Sequence, residues 1–351
     1  MLRRSVGVIF PSLAVIAGVA WYNRPSLPPD EEFKRTGLYS PKTSEESAAL
    51  KITRAVTIGS VTAMSKLFIE KLNTLQIVEN EHYRKFLELV QQGAHGRGRG
   101  LLTVSNHTSV YDDPILQSVL VGYIHPDLHR WGACKENICF RDAYTSSFTS
   151  AGKALPVRLG EGLEQQKFKA LGRRLADGEW VHIYPEAACI QSGTLGSGAY
   201  HGCREEEKAR KIGLLKWGVG KLATRIAFGE NLLPPVVLPY YHVGMHRIKP
   251  QHNLPDNNLV IDPWHKIRTG EKIIVVFGPP ISIEDLLAEY EAKIGKQRRL
   301  AHIASDNSFL DWDGTDEDEK SLYSKVTKRI EGALLELEAQ AREIYLNETT
   351  N

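Results

Sequence analysis

Short apolar runs, separated by stretches of helical spacing, restrict this chain more than anything else in it. Residues 101–104, 130–135, 180–184, 233–240 and 272–280 have the length and the Val, Ile, Leu and aromatic content of core strands. Between them, residues 114–123, 160–177 and 214–228 read as helices; Leu215, Val219, Leu222 and Ile226 share one side of the last. Strands alternating with helices predict an α/β fold, a mixed and mostly parallel sheet covered by helices. No internal repeat is evident.

The run at 101–104 leads into Ser105-Asn106-His107-Thr108-Ser109-Val110-Tyr111-Asp112-Asp113-Pro114. Asp113-Pro114 reads as a helix start, an acidic N-cap before a proline at the first helical position. His107 then sits in a tight loop at the carboxyl end of a strand, with Asp112 at the start of the next helix. Open α/β sheets carry their chemistry there. A neutral imidazole takes a proton from a hydroxyl when its other nitrogen is held. Asp112 is close enough in sequence to hold it and to stabilise the imidazolium. A substrate can bring its own hydroxyl, so this pair suits acyl transfer between two bound molecules. The plainer alternative is a loop histidine beside two helix-capping aspartates, since short motifs also match by chance.

The 106–112 block resembles the Asn-His-x-Ser-x-x-Asp block of the glycerolipid acyltransferase family, the His-x4-Asp enzymes. Three further blocks follow in the family's order. Gly152 and, six residues later, Arg158 match the second, whose arginine binds substrate phosphate; the planar guanidinium fork suits a phosphodiester. Glu186 matches the glutamate of the third, which holds the glycerol headgroup. Ala187 stands where the family has glycine, and the arginine and serine that usually follow are missing. If that position needs a positive φ, alanine strains or shifts the loop. The Val-rich strand at 233–240 matches the fourth block, which in the family lines the acyl-chain side. Wider identity at 103–107, 112–114, 180–183, 216–218 and 242–245 resembles the tafazzin branch, mitochondrial phospholipid–lysophospholipid transacylases that remodel cardiolipin. The resemblance runs from about residue 50 to residue 287.

It implies His107 and Asp112 as catalytic residues, with Arg158 and Glu186 binding substrate. It implies CoA-independent transfer between phospholipids and lysophospholipids such as cardiolipin and phosphatidylcholine, with neither metal nor organic cofactor. It further implies a membrane surface as partner and mitochondrial outer and inner membranes facing the intermembrane space; an oligomer or larger membrane complex stays open. An acyl-CoA-dependent acyltransferase would use the same dyad. A hydrolase would replace the alcohol with water, but no Gly-x-Ser-x-Gly elbow is present. A non-catalytic scaffold draws support from the altered Glu186-Ala187 block. Alanine at His107 or Asp112 is expected to abolish acyl exchange in a folded protein.

The net charge of +2 gives a nucleic-acid partner no electrostatic support. Four cysteines without a Cys-x-x-Cys pair argue against a disulfide framework or zinc site, and Cys134 and Cys139 read as separate thiols. Residues 5–22 carry no charge and follow Arg3 and Arg4. As a helix they would be about 27 Å long, near the roughly 30 Å hydrocarbon core. Spanning a bilayer, lying in one leaflet and acting as a cleaved signal all fit; the absence of a small-x-small cleavage site favours an uncleaved element. The expected organisation is a membrane element at 1–24, a proline-rich linker at 25–47 and amphipathic helices at 48–95. An acyltransferase domain at 96–295, an acidic loop at 296–320 and a closing helix at 321–351 follow. Apolar residues from Val56 to Ile77 keep helical spacing. Lys167, Lys169, Arg173 and Arg174 form a basic face that is either solvated or turned to lipid headgroups. Residues 191–211 read as a long loop, of the kind that can cover a site. His182 reads as a core histidine.

Overall fold

The computed structural model describes residues 46, 48–140, 143–158, 162–163, 165–190, 214–228, 233–250, 267–294 and 317–349. The apolar stretch at 5–22, the linker up to residue 45, the 191–211 segment and the acidic run at 311–316 lie outside the described residues.

Seven strands form one sheet in the order β1-β7-β6-β2-β5-β3-β4. They are β1 (Thr74–Ile77), β2 (Leu101–Val104), β3 (Trp131–Lys135), β4 (Ala154–Val157), β5 (Trp180–Ile183), β6 (Val236–Val243) and β7 (Lys272–Phe277). β6, β2, β5, β3 and β4 run parallel; β7 pairs antiparallel with β6, and β1 parallel with β7. The sheet is therefore mixed and mostly parallel, as the sequence predicts. Strands β2, β5, β6 and β7 are buried almost throughout, which is why they read as near-continuous apolar runs. Leu101, Trp180, Leu238 and Tyr240 face one core. There they meet α2 (Glu81–Arg97) through Phe86 and Leu89, and α3 (Gln117–Val121) through Val119 and Leu120. Leu102, Val181, Val237 and Tyr241 face the other. That side is covered by α5 (Gln166–Ala176), α6 (Gly218–Arg225), α7 (Glu284–Ile294) and the long α8 (Glu317–Thr349). Between α3 and α5, α4 (Ala143–Ala151) leads into β4.

The first helix, α1 (Ala48–Lys66), has its polarity largely inside out, with Leu50 and Ile58 the two large apolar side chains among its buried residues. It buries Thr53, Arg54, Thr57, Thr62 and Ser65 and leaves Ile52 62% exposed, with Val56 and, just past its end, Leu67 also exposed. Part of the buried polar side is satisfied: Arg54 pairs with Glu46 and donates to the carbonyls of Ser150 and Ala151, and Thr53 Oγ1 donates to the Ala49 carbonyl, while the Thr57 and Ser65 hydroxyls have no hydrogen-bond partner among the described residues. An ordinary surface helix buries its apolar stripe, worth about 1.5–3 kcal/mol per large side chain. Among the described residues no helix is long and apolar enough to cross a membrane.

Three expectations need correction. Helical spacing does not continue to Ile77; α1 ends in the π-helical turn Leu67–Lys71, and Thr74–Ile77 form edge strand β1. The strand is set by pairing with Lys272–Val275, almost two hundred residues away, which local periodicity does not register. Cys134 and Cys139 are not separate thiols. The one-turn helix Glu136–Cys139 folds back on the end of β3, brings their Cα atoms to 6.1 Å, and they form a disulfide. The basic face of α5 is not wholly outward either: Lys169 is 1% and Arg174 3% exposed, with the Arg174 guanidinium over the Trp131 ring.

Candidate active site

The site is built where β2 runs out. Val104 is in register with Pro239 of β6, and proline has no N–H to continue the ladder. Asn106 takes over with its side chain. Its Nδ2 donates to the His242 carbonyl at 2.9 Å, and its Oδ1 accepts from the His242 N–H at 3.0 Å. That clamp fixes the chain one residue before His107.

The His107 backbone is gripped from the β5 side. Its N–H donates to Glu186 Oε2 at 2.9 Å, and its carbonyl accepts from the Ile190 N–H at 2.6 Å. The ring stacks on Tyr184, centroids 4.2 Å apart. Nδ1 lies 2.9 Å from Asp112 Oδ2. The same oxygen accepts the backbone N–H groups of Thr108 at 2.6 Å and Ser109 at 2.9 Å. An acceptor so committed fixes the tautomer: the His107 proton sits on Nδ1, and Nε2 keeps its lone pair. Among the described residues Nε2 has no hydrogen-bond partner, and the side chain is 21% exposed, whereas Asp112 is fully buried. Burial alone would raise the Asp112 carboxyl. Facing His242, the His107 hydrogen bond and the Ser109 N–H outweigh it and hold Asp112 below its ordinary value. The arrangement is a buried anion behind an accessible base.

Asp113 has the extended backbone of a residue that precedes a helix. Its side chain does not cap that helix; it pairs with the buried Arg130. Gly132 makes room for this pair, since a Cβ there would lie 3.1 Å from Asp113 Oδ2. Below the dyad runs a buried polar chain. Trp180 Nε1 donates to Thr103 Oγ1 at 2.9 Å, and Thr103 Oγ1 lies 2.8 Å from His182 Nδ1. His182 Nε2 lies 3.4 Å from Ser105 Oγ, which donates to the Asn106 carbonyl. Burial, with Arg130 adding to it, keeps His182 neutral well below its usual pKa, so this ring is a core histidine.

The structure thus brings His107, Asp112 and Glu186 together, with Glu186 on the His107 backbone. Arg158 lies apart. It follows β4, the outer strand, three positions from β2, about 14 Å at about 4.8 Å per strand. Its side chain is 49% exposed and bonded to Glu136, with Nε to Oε2 at 2.6 Å. It shares the carboxyl rim with the dyad without touching it. Ala187 has φ +55°, so the position that glycine holds in the resembling family is left-handed here. Sequence reasoning assigned no role to Tyr184 or His242. His242 was visible inside the 242–245 resemblance, but nothing local tied it to Asp112. Among the described residues no three His, Cys, Asp or Glu side chains are grouped to hold a metal ion.

Comparison with known proteins agrees with this architecture. Residues 77–242 match the Acyltransferase family. The chain is 30% identical over 236 residues to an N-acylphosphatidylethanolamine synthase of Arabidopsis thaliana, covering 66% of this chain and 72% of that protein. It is 28% identical to a tafazzin of Dictyostelium discoideum, over 68% of this chain and 71% of the relative. It is 26% identical to a tafazzin of Drosophila melanogaster, over 67% and 53%.

Proposed function

Because this chain belongs to the acyltransferase family, we propose that it moves fatty acyl chains between phospholipids and lysophospholipids without CoA, on mitochondrial membranes that contain cardiolipin. The observation that carries the reading is the held imidazole: Nδ1 tied to a buried carboxylate, Nε2 open. His107 Nε2 takes the proton of a lysophospholipid hydroxyl. The oxygen attacks the ester carbonyl of a second phospholipid and forms a tetrahedral intermediate. Collapse expels the donor's glycerol oxygen, to which the imidazolium returns the proton. Asp112 remains ionised throughout and stabilises the imidazolium. Glu186 places His107 through its backbone, and Arg158 takes a headgroup phosphate at the rim.

The inside-out α1 supports a bilayer as the surface from which substrate arrives. Its outward Ile52 and Val56 lead to Leu67, and the next residue, Phe68, packs edge-on against Tyr111 of the dyad loop, ring centroids 6.2 Å apart. Exposed Tyr123 lies beside Lys66, Nζ 5.9 Å from the ring, a pairing suited to the headgroup boundary. The name of the Arabidopsis relative favours a second reading, in which the amine of phosphatidylethanolamine is the acceptor.

The test is incubation with cardiolipin-containing vesicles and labelled lysophosphatidylcholine, with and without acyl-CoA, followed by lipid mass analysis. Label entering diacyl lipid without CoA supports the proposal. Transfer only with CoA moves the protein to the acyl-CoA-dependent class, and N-acylated lipid as the main product favours the second reading.

A further inference from the structure

We infer that His242, at the end of β6, is a positioning residue for the dyad: from Nε2 it fixes the Asn106 carbonyl and faces the Asp112 oxygen that holds His107. The inference rests on the dyad reading and adds a member to it.

His242 is fully buried. Its Nε2 lies 3.1 Å from the Asn106 carbonyl oxygen and 3.5 Å from Asp112 Oδ2. Its Nδ1 has no hydrogen-bond partner. Only one tautomer suits these surroundings. With the proton on Nε2, the N–H donates to the Asn106 carbonyl, with Asp112 Oδ2 3.5 Å away. With the proton on Nδ1, a lone pair would face both oxygens and a buried N–H would be stranded. Burial, with the charged form of His107 adding to it, holds the ring below its usual pKa although Asp112 pulls the other way, so His242 is a neutral donor. The titratable groups around it are Asp112 and His107 on the loop, His182 on β5, Tyr240 on its own strand and His246 on the following turn.

Two of its contacts converge on the geometry of His107. The backbone pairing with Asn106 sets where the loop begins, and the ring N–H holds the Asn106 carbonyl at the same point. Asp112 Oδ2 is held by His107 Nδ1 and by the Thr108 and Ser109 N–H groups, and the His242 ring is a fourth polar neighbour at 3.5 Å. Without the His242 N–H, the Asn106 carbonyl loses its ring donor, and the loop that carries His107 and Asp112 is held less firmly at its start. The fold predicts a consequence in turnover more than in substrate binding, because His242 touches nothing outside the buried layer.

The experiment compares wild type with His242→Phe, which keeps a planar ring without a donor, and His242→Gln, whose amide N–H reaches the same oxygens. His242→Asn, too short to reach, repeats the contrast if the phenylalanine chain does not fold. The first readout is the downfield proton resonance of His107 Nδ1–H on the intact, substrate-free chain. It is expected in wild type and His242→Gln, and lost or moved upfield in His242→Phe and His242→Asn. The second is acyl transfer: kcat about 10- to 30-fold lower in His242→Phe with KM within about twofold, and His242→Gln within about threefold of wild type. An unchanged resonance in the folded donor-less variants overturns the inference, as does a His242→Gln chain that restores neither readout. A wild-type chain that transfers no acyl group overturns the proposed function instead, and the resonance still decides the role of His242.

Discussion

Replacing Asp112 by asparagine removes one charge and puts an amide NH2 at a buried position without a partner. Oδ2 is the acceptor for His107 Nδ1, Thr108 N and Ser109 N, and an amide oxygen there can accept the same three. The amide nitrogen falls at Oδ1, which has no hydrogen-bond partner. The lost quantity is the attraction between carboxylate and imidazolium. At about 4 Å and an effective dielectric near 20 it is about 4 kcal/mol. Partial exposure of His107 lowers it, leaving about 2–4 kcal/mol, or about 30- to 1000-fold in the chemical step. Single-turnover transfer of a labelled acyl chain from vesicles to lysolipid measures the loss, with thermal unfolding followed on the same samples. Alanine behaves differently. It strips the acceptor from two buried N–H groups, at about 1–3 kcal/mol each. Asp112→Ala therefore loses stability together with activity, against the sequence-based expectation that the alanine protein stays folded; only His107→Ala, at the accessible end, is the clean knockout. An asparagine variant that turns over within about threefold of wild type, with an unchanged unfolding midpoint, would refute the charge argument.

Glu186→Gln keeps an acceptor for the His107 N–H and is expected to retain activity within about fivefold, whereas Glu186→Ala lowers kcat by about 10- to 100-fold; steady-state kinetics of the pair decide it. Ala187→Gly relieves a left-handed alanine worth about 1–2 kcal/mol but adds about 0.4–1 kcal/mol of unfolded-chain entropy, so urea unfolding should show a small net gain. Ala187→Val, β-branched at the same φ, should instead destabilise by about 1–3 kcal/mol. His129, His182 and His242 are buried with folded pKa values below the ordinary one, His129 at about 4. Such groups contribute stability above the unfolded histidine value of about 6.5 that is lost as pH falls below it. The linkage for His129 alone reaches roughly 3 kcal/mol by about pH 4. Urea midpoints should drop from about pH 6.5 downward, and His129→Gln should flatten that slope.

What the sequence made legible follows from the range of the forces involved. β2, β5, β6 and β7 are short apolar runs because both their faces are covered, and a run of that kind is visible residue by residue. The His107–Asp112 contact is local too, five positions apart around one loop. β1 was hidden because its partner strand supplies the hydrogen bonds from the far end of the chain. His242 was hidden for the same reason: 136 residues separate it from Asn106, and only the β2–β6 pairing brings them together. Lys169 and Arg174 read as a solvated stripe, because a helix wheel cannot show that Trp131 waits beneath the guanidinium. Asp113 matched a capping signal and was drawn instead to Arg130, whose approach depends on Gly132, two residues further on in β3.

The reversal at β6–β7 decides which rim of the molecule receives the end of α1. Because β7 and β1 run against the other five strands, β1 begins on the same rim where β2 ends, and the turn at Leu67–Lys71 that feeds it is delivered beside Tyr111. Had β1 followed the direction of β2, that turn would open on the opposite rim, about 13 Å away across a four-residue strand. A greasy chain leaving the bilayer would then have to cross the thickness of the sheet to reach an imidazole. One antiparallel pairing makes the two neighbours.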